Sequence, residues 1–204
     1  MAHGKPPLTP NADKSAWRVW AGNILDSLSD EERRIKSRSI CNNILSWPLY
    51  KEAVSIGAFM PYGREIDIRP ILEHAVANEK ILSLPKVVAS NGSLIFHRIR
   101  ALESDLYPGY RGIMEPGGMN TQSPTFHPDL LIIPGLVYDL RGYRLGHGKG
   151  FYDNFLVSLQ HPVVTLGVAY RLLLVEMLPV EIHDIPVDAV ATEEGIHYVQ
   201  GRRV

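Results

Sequence analysis

The stretch that decides the fold is LLIIPGLVYDLRGYRLGHGKGFYDNFL, residues 130–156. Its first four residues are all apolar, as expected of a strand that is covered on both faces, and Pro134 and Gly135 end that run. A glycine-rich segment follows, and the pattern is helical from Phe151 onward. The stretch therefore predicts a buried strand, a glycine-rich turn and the start of a helix, in that order.

The glycine-rich segment has the composition of a phosphate-binding loop. Four glycines fall within nine residues and alternate with three basic side chains: Gly142, Gly146, Gly148 and Gly150 with Arg144, His147 and Lys149. Glycines let the backbone approach a ligand closely and point its N–H groups at phosphate oxygens, and the basic side chains supply countercharge. The helix that follows would add a positive N-terminus. We therefore favour phosphate binding over a merely flexible surface loop.

Two common nucleotide motifs do not fit this loop. It is not a Walker A element, because Gly150 rather than Ser or Thr follows Lys149, and Tyr143 stands where the first glycine would be. The spacing G-x-G-x-G also differs from the dinucleotide-binding fingerprint. The pattern predicts phosphate binding without naming the ligand.

Composition indicates an ordinary soluble globular protein. With 204 residues, 45% of them hydrophobic and 21% charged, the chain can bury a core without disulfides or a structural metal. We expect a disordered tail over residues 1–13, which lack an apolar signal core, and one domain over residues 14–204. We also expect a monomer.

Charge and cysteine content exclude several classes of partner. A net charge of −1 argues against nucleic acid and membrane surfaces, and no apolar run approaches the ~18 residues of a membrane span. The single cysteine, Cys41, cannot form an internal disulfide and lies among helical apolar positions. A packed thiol and a cytoplasmic location are therefore expected.

The first part of the chain predicts two helices. Residues 14–28 carry apolar side chains at helical spacing: Trp17, Trp20, Ala21, Ile24 and Leu28. Ser29 and Glu32 form a capping box that opens a second helix, which ends near Trp47 because Pro48 follows. Its expected inward side chains are Ile35, Ile40, Ile44 and Leu45.

The remaining elements alternate between strands and helices. Strands are predicted at 53–60, 81–84, 163–169, 190–192 and 196–198, with a hairpin turn at Asn91-Gly92. Helices are predicted at 68–78, with Asp67 as its cap, and at 171–178, whereas residues 101–128 form a long loop without periodicity. The expected fold is a three-layer α/β/α, Rossmann-like domain with a mostly parallel central sheet.

In such a sheet, ligands bind beyond the carboxyl ends of the strands. Residues 135–150, after one strand, and 62–67, after another, are both expected on that edge.

Three acidic positions near this edge have two interpretations each. Asp153 is either an acid that complements the helix dipole or a Mg²⁺ ligand next to a phosphate loop. Asp184 and Asp188, in HDIPVD, are either turn formers or metal ligands. No histidine spacing indicates a metal centre, and no nucleophile elbow indicates a covalent hydrolase.

Residues 134–156 as a whole resemble the signature of the 5-formyltetrahydrofolate cyclo-ligase family. In that family Pro-Gly and aromatic-Asp pairs precede Arg-Leu-Gly-x-Gly-x-Gly-aromatic-Tyr-Asp. The resemblance extends over nearly the whole chain after the tail. Its other matches are Lys14, Arg18, Glu65, the segment GIMEP at 112–116 and HDIPVD.

The resemblance implies an ATP- and Mg²⁺-dependent enzyme that converts 5-formyltetrahydrofolate to 5,10-methenyltetrahydrofolate, with release of ADP and phosphate. ATP would phosphorylate the formyl oxygen, and N10 of the folate would then attack the formyl carbon. Catalytic roles are implied for Lys149 and Arg144.

The resemblance also assigns the contacts of each ligand. Those of ATP would be Lys14, Arg18, Arg144, Leu145, Gly146, His147, Gly148, Lys149, Gly150, Phe151 and Tyr152. Those of the folate would be Met60, Glu65, His147, Gly148, Lys149, Gly150 and Phe151. Asp153 and Asp184 would hold Mg²⁺.

Three residues depart from the family pattern. Ile68 replaces a common threonine, His147 a residue that is often Tyr or Arg, and Phe151 one that is often Tyr. None of these changes removes an expected phosphate or metal contact. Two other functions stay open: a folate- or nucleotide-binding regulator without turnover, and a sugar-phosphate isomerase that acts without ATP.

Overall fold

The computed structural model describes residues 12–202 except 89, 91, 118–126 and 160. Its α-helices are α1 (Lys14–Ser27), α2 (Asp30–Ser46), α3 (Pro48–Glu52), α4 (Arg69–Ala77), α5 (Leu102–Asp105) and α6 (Phe151–Ser158), and short 3-10 turns occur at Tyr110–Gly112 and Arg171–Leu173. The strands are β1 (Ser55–Gly57), β2 (Ile81–Val88), β3 (Ser93–Ile99), β4 (Leu106–Pro108), β5 (Met114–Pro116), β6 (Leu130–Ile133), β7 (Val137–Asp139), β8 (Arg144–Leu145), β9 (Val164–Val168), β10 (Leu174–Val175), β11 (Ala189–Thr192) and β12 (Gly195–Tyr198).

Seven of the described strands form the main sheet, in the order β12-β11-β9-β6-β1-β2-β3. The five inner strands are parallel, and the edge strands β12 and β3 pair antiparallel. The mostly parallel sheet expected from the sequence is therefore confirmed. After β1 the chain moves to β2 on one side, and it later returns to β6 on the other side. The crevice beyond the carboxyl ends of β1 and β6 is thus the topological switch point, where ligands bind in such sheets.

Alternation along β6 explains why its four residues are all buried. Leu130 and Ile132 belong to the core that includes α1, α2 and α4, whereas Leu131 and Ile133 belong to a second core with α6 and the small sheet β10-β7-β8. Both faces of the sheet are covered, so the predicted layered α/β architecture is confirmed. Within the described residues, none of the helices is long and apolar enough to cross a membrane.

The two N-terminal helices follow the prediction with one exception. Ser29 and Glu32 form the expected capping box, and α2 ends one residue before Trp47. Ile40 and Ile44 are fully buried, but Ile35 is 51% exposed, so its predicted inward orientation is wrong. Its position on the helix faces solvent, since the buried side is defined by Ser37, Ile40, Cys41 and Ile44.

Cys41 is a packed thiol, as expected. Its Sγ lies 3.3 Å from the carbonyl oxygen of Asp67, and burial raises the pKa of the thiol to about 12. At neutral pH the thiol stays protonated and is a poor nucleophile.

Three local predictions differ from the structure. The α4 helix begins at Arg69 and its N-cap is Ile68 rather than Asp67. The Asp67 carboxylate, one residue earlier, accepts from the N–H of Arg69 at 3.1 Å and pairs with its guanidinium. Residues 171–178 form a 3-10 turn and strand β10 rather than a helix, since Leu174 and Val175 pair with β7. The strand predicted at 53–60 is present but shorter, since β1 contains only residues 55–57.

The long segment 101–128 contains short elements where no periodicity was found. Its described part includes α5 and the hairpin β4–β5. The predicted hairpin between β2 and β3 is present, although Asn91 in its turn lies outside the described residues. Most of the predicted tail also lies outside them, and Asp13 caps α1. The division into a tail and one domain stays a prediction.

The buried ring of Tyr138 lies against the backbone of Gly167 in β9. Its hydroxyl donates to the carbonyl oxygen of Ile133 at 2.8 Å, and a Cβ added to Gly167 would lie 2.3 Å from the ring. A side chain on β9 is therefore excluded at this position.

We predict that Gly167→Ala lowers the free energy of unfolding by about 1–3 kcal/mol, because the new methyl group overpacks a buried ring that cannot move aside. Urea denaturation measures this. Gly22→Ala, in α1 with no atom within 4 Å of the added Cβ, is the control and should be neutral or stabilising by about 0.5–1 kcal/mol. Equal effects of the two substitutions would contradict the packing argument.

Candidate functional site

The loop at residues 146–150 connects β8 to α6 at the switch point. It does not follow the buried strand directly, because the hairpin β7–β8 lies between them. Gly142 is in the turn of that hairpin, with φ +84°, and a Cβ there would lie 2.4 Å from the carbonyl oxygen of Val187. Gly142 is therefore required by close packing against Val187. The candidate phosphate loop is shorter than the sequence predicts.

The backbone of this loop depends on two left-handed glycines. Gly148 has φ +89°, and Gly150 has φ +65° and is the N-cap of α6. Arg18 of α1 fixes the loop from the other side, since its Nε donates to the carbonyl oxygen of Gly146 at 2.9 Å. A Cβ on Gly148 would lie 3.3 Å from the same guanidinium. The loop thus has little room for side chains on its α1 side.

A buried ion pair lies behind the loop. The Nη2 of Arg144 donates to Oδ1 of Asp153 at 2.7 Å, and the two side chains are only 4% and 18% exposed. Nη1 of Arg144 donates to the carbonyl oxygen of Ile185 at 2.8 Å, while the Ile185 N–H donates to Asp153 at 3.2 Å. This pair joins β8, α6 and the segment that leads to β11.

A second ion pair involves Asp184, the residue before Ile185. Nζ of Lys14 donates to Oδ2 of Asp184 at 2.7 Å and lies 3.3 Å from Glu181. The backbone N–H of Glu181 also donates to Asp184 Oδ2, at 2.7 Å. Because Asp184 precedes Ile185, both predicted metal ligands contact the same short segment.

The carboxylates of Asp153 and Asp184 are only partly occupied by protein donors. Within the described structure, the hydrogen bonds of Asp153 use Oδ1 and those of Asp184 use Oδ2, so each retains one oxygen for a ligand. Magnesium prefers one or two carboxylates together with phosphate oxygens and water. Glu181 and His183 could place further ligand atoms beside Asp184, within 4.8 Å of one another.

The third acid of this region, Asp188, contacts the neighbouring strand β9. Asp188 accepts hydrogen bonds from both the N–H and the hydroxyl of Thr165, at 2.8 and 2.7 Å. Asp188 therefore holds the start of β11 to β9. Asp184 instead pairs with Lys14, so the two acids of HDIPVD make different contacts.

Lys149 and His147 project from the loop. Both are exposed, and Lys149 has no hydrogen bond or ion pair with any residue that the structure describes. The pKa of His147 is lowered, first by partial desolvation and then by the charges of Arg111, Arg18 and Arg64. The imidazole is therefore held in its neutral form near neutral pH.

The opposite wall of the crevice contains the predicted folate contacts. Met60 is partly buried at the end of β1, and Glu65 accepts from the Tyr62 N–H at 3.0 Å. Burial raises the pKa of Glu65 to about 6. Burial also raises the pKa of Tyr152, with a further contribution from the charge of Glu65.

Phe151 closes this side of the loop. Its ring lies 3.0 Å from the position of a Cβ on Gly92, and its centroid is 6.5 Å from that of Tyr110 in an edge-to-face contact. Leu145, the remaining predicted contact, is buried in β8. Sequence reasoning missed Tyr110, Arg111, Arg64 and Glu181, which lie in loops without periodicity.

Comparison with known proteins shows the family of the chain. The sequence model described as the 5-formyltetrahydrofolate cyclo-ligase family matches residues 10–193. The chain is 32% identical over 173 residues to 5-formyltetrahydrofolate cyclo-ligase of Escherichia coli strain K12, covering 83% of this chain and 94% of the relative. It is 28% identical over 197 residues to the Mus musculus protein of the same name, covering 92% and 97%.

A solved structure supports the same assignment. That of Aquifex aeolicus 5,10-methenyltetrahydrofolate synthetase superposes with a TM-score of 0.79 at 34% identity, covering 94% of this chain and 95% of the other. The protein is thus an α/β protein of the cyclo-ligase fold. It belongs to the 5-formyltetrahydrofolate cyclo-ligase family, which confirms the resemblance that residues 134–156 first indicated.

The raised pKa of Glu65 predicts a pH dependence of stability. The pKa of about 6 in the folded state exceeds the ordinary glutamate value of 4.5, so the folded state binds the proton more tightly. This contribution to stability is fully present below pH 4.5 and is lost as the pH rises through about 6.

We therefore predict that Glu65→Gln is more stable than the wild type at pH 7.5, by about 1–2 kcal/mol, and that the gain disappears near pH 4.5. Chemical denaturation across this pH range measures it. Glu73→Gln, on the exposed face of α4, is the control and should follow the wild-type curve. A constant offset between Glu65→Gln and the wild type at all pH values would exclude the titration.

Proposed function

We propose that the protein catalyses ATP- and Mg²⁺-dependent conversion of 5-formyltetrahydrofolate to 5,10-methenyltetrahydrofolate, with release of ADP and phosphate. One observation carries the proposal. In a chain of the cyclo-ligase family, a glycine loop at the switch point presents a lysine that has no partner among the described residues. Two carboxylates, each with one oxygen not used by described donors, lie behind the loop.

The loop at 146–150 is suited to hold the triphosphate. Its N–H groups and the N-terminus of α6 favour anions, and Arg18 and Lys14 add positive charge from α1. Lys149 is exposed and has no protein partner among the described residues, so its ammonium can bind the transferred phosphoryl group. Phosphoryl transfer depends mainly on such positioning and on charge stabilisation.

Arg144 acts from below the loop. Its guanidinium is buried and already pairs with Asp153 and the Ile185 carbonyl, so we assign it the orientation of Asp153 together with electrostatic support of the phosphates. Asp153 and Asp184 would hold Mg²⁺, with Lys14 orienting Asp184. When bound, Mg²⁺ neutralises charge on the phosphate oxygens.

The folate would occupy the wall formed by Met60, Glu65, Phe151 and Tyr152. The formyl oxygen attacks the γ-phosphorus of ATP, and ADP leaves. N10 then attacks the activated formyl carbon, loses its proton, and phosphate leaves as the ring closes. The protein aligns the formyl oxygen with the loop, and the aromatic side chains exclude water from the activated carbon.

The direct test is an absorbance assay of methenyl-folate formation with 5-formyltetrahydrofolate, Mg²⁺ and ATP. Product should form only when all three are present. A folded protein that binds both ligands without forming product would be a regulator, and product formation without ATP would contradict the proposed phosphorylation.

We predict that Lys149→Ala lowers kcat by at least about 10²-fold, as expected on loss of a preorganised charge at a transition state. The melting temperature should be unchanged, because the side chain is exposed and unpaired among the described residues. Lys51→Ala, at the exposed end of α3 before β1 begins, is the control and should retain full activity. Full activity of Lys149→Ala would show that the loop is misassigned.

We predict that Asp153→Asn raises the Mg²⁺ concentration required for half-maximal turnover, because the available oxygen is lost or neutralised. It should also lower stability, since Arg144 loses its partner. Asp188→Asn is the matched control: it weakens the bonds from Thr165 and should lower stability without changing the Mg²⁺ requirement. Identical Mg²⁺ titrations for both variants would remove Asp153 from the metal site.

A further inference from the structure

A group of arginines lies on the side of the loop away from the carboxylates. Arg111 is in the 3-10 turn Tyr110–Gly112, within the hairpin β4–β5, and β5 packs beside β2 and β3. The carboxylate segment instead leads into β11, on the other side of the switch point. Arg111 is therefore on the same side as Met60 and Glu65, which follow β1.

The structure presents Arg111 in an unusual way. Its backbone is left-handed, with φ 56° and ψ 23°, which is unfavourable for a residue with a side chain. Its guanidinium lies over the ring of Tyr110, 5.5 Å from the centroid, and that ring contacts Phe151 at the start of α6. The side chain is thereby held beside the mouth of the crevice.

Among the described residues, Arg111 has no acidic partner. Residue 111 is exposed and forms no ion pair with the residues that the structure describes. Arg64 pairs with Asp26 of α1, and Arg18 donates to Gly146. The charges of all three arginines lower the pKa of His147, as expected if they lie around the same edge of the crevice.

We propose that Arg111, assisted by Arg64, binds the carboxylates of the glutamate tail of the folate substrate. The inference rests on the proposed function. Planar guanidinium groups recognise carboxylates with two parallel hydrogen bonds. The triphosphate already has the loop amides, Arg18 and Lys149, whereas Arg111 approaches from the folate wall. A tail with several glutamates would gain further from this charge.

Equilibrium binding tests this inference independently of turnover. We would measure, by calorimetry without ATP, the Kd of 5-formyltetrahydropteroate, which lacks glutamate, and of 5-formyltetrahydrofolate with one and with three glutamates. The wild type should bind more tightly as glutamates are added, and Arg111→Ala should weaken binding of the tailed ligands about three- to tenfold. The preference for tailed over tail-less ligand should shrink with added salt.

The control removes the same charge elsewhere. Arg38→Ala, on the exposed side of α2, should keep the wild-type preference for tailed ligands. Arg64→Ala should reduce it, by less than Arg111→Ala because Arg64 is shared with Asp26.

The outcomes separate the possible ligands of the cluster. An unchanged preference in Arg111→Ala would overturn the inference, and so would a raised Kd for ATP alone, which would assign Arg111 to the triphosphate. If tailed folates bind as expected but the wild type forms no product, the proposed function fails while the tail site stands. Absence of folate binding by the wild type would contradict both.

Discussion

The site depends on the ion pair between Arg144 and Asp153. Removing one partner of a buried pair leaves an uncompensated charge and costs about 3–5 kcal/mol, although the intact pair need not stabilise the fold by that amount. Its contribution is geometric. The pair and the backbone of Ile185 join a two-residue strand, a helix start and the segment before β11 at one point. Without it, the loop and the segment before β11 would not be joined through Ile185.

The same arrangement divides the crevice into two halves. On the β11 side lie Lys14, Asp184 and Asp153, the residues to which the proposed function gives the nucleotide and its cation. On the β1 side, Glu65 and Phe151 provide a half-buried wall with an acid that keeps its proton to an unusually high pH. The loop at 146–150 lies between the two halves. The proposed transfer of a phosphoryl group from one ligand to the other would require such a position.

The sequence was sufficient for features that depend on local patterns. The strand at 130–133, the capping box of Ser29 and the start of α6 at Phe151 all follow from periodicity or backbone chemistry, and the structure confirms them. The hairpin β7–β8 was missed, since strands of three and two residues are too short to show alternation. Gly142 was assigned to the loop for the same reason.

Tertiary contacts determine the features that could not be predicted. Arg144 and Asp153 were both identified as site residues, but their pairing depends on the approach of Ile185, 32 residues beyond Asp153. No sequence pattern identified Arg111 as a site residue, because its left-handed backbone arises from the packing of a hairpin against β2 and β3. The role of Lys14 likewise requires a contact across 170 positions.

That last contact has a consequence for synthesis of the protein. The first helix supplies Lys14 and Arg18, and their partners Asp184 and Gly146 are made 170 and 128 residues later. Contacts of such separation form only after the entropy of closing long loops has been overcome. A chain still emerging from the ribosome thus has the glycine loop before it has a complete site. The proposed ligand site is therefore complete only after residue 184 has been made, so that a bound ligand would stabilise the finished molecule and not its precursors.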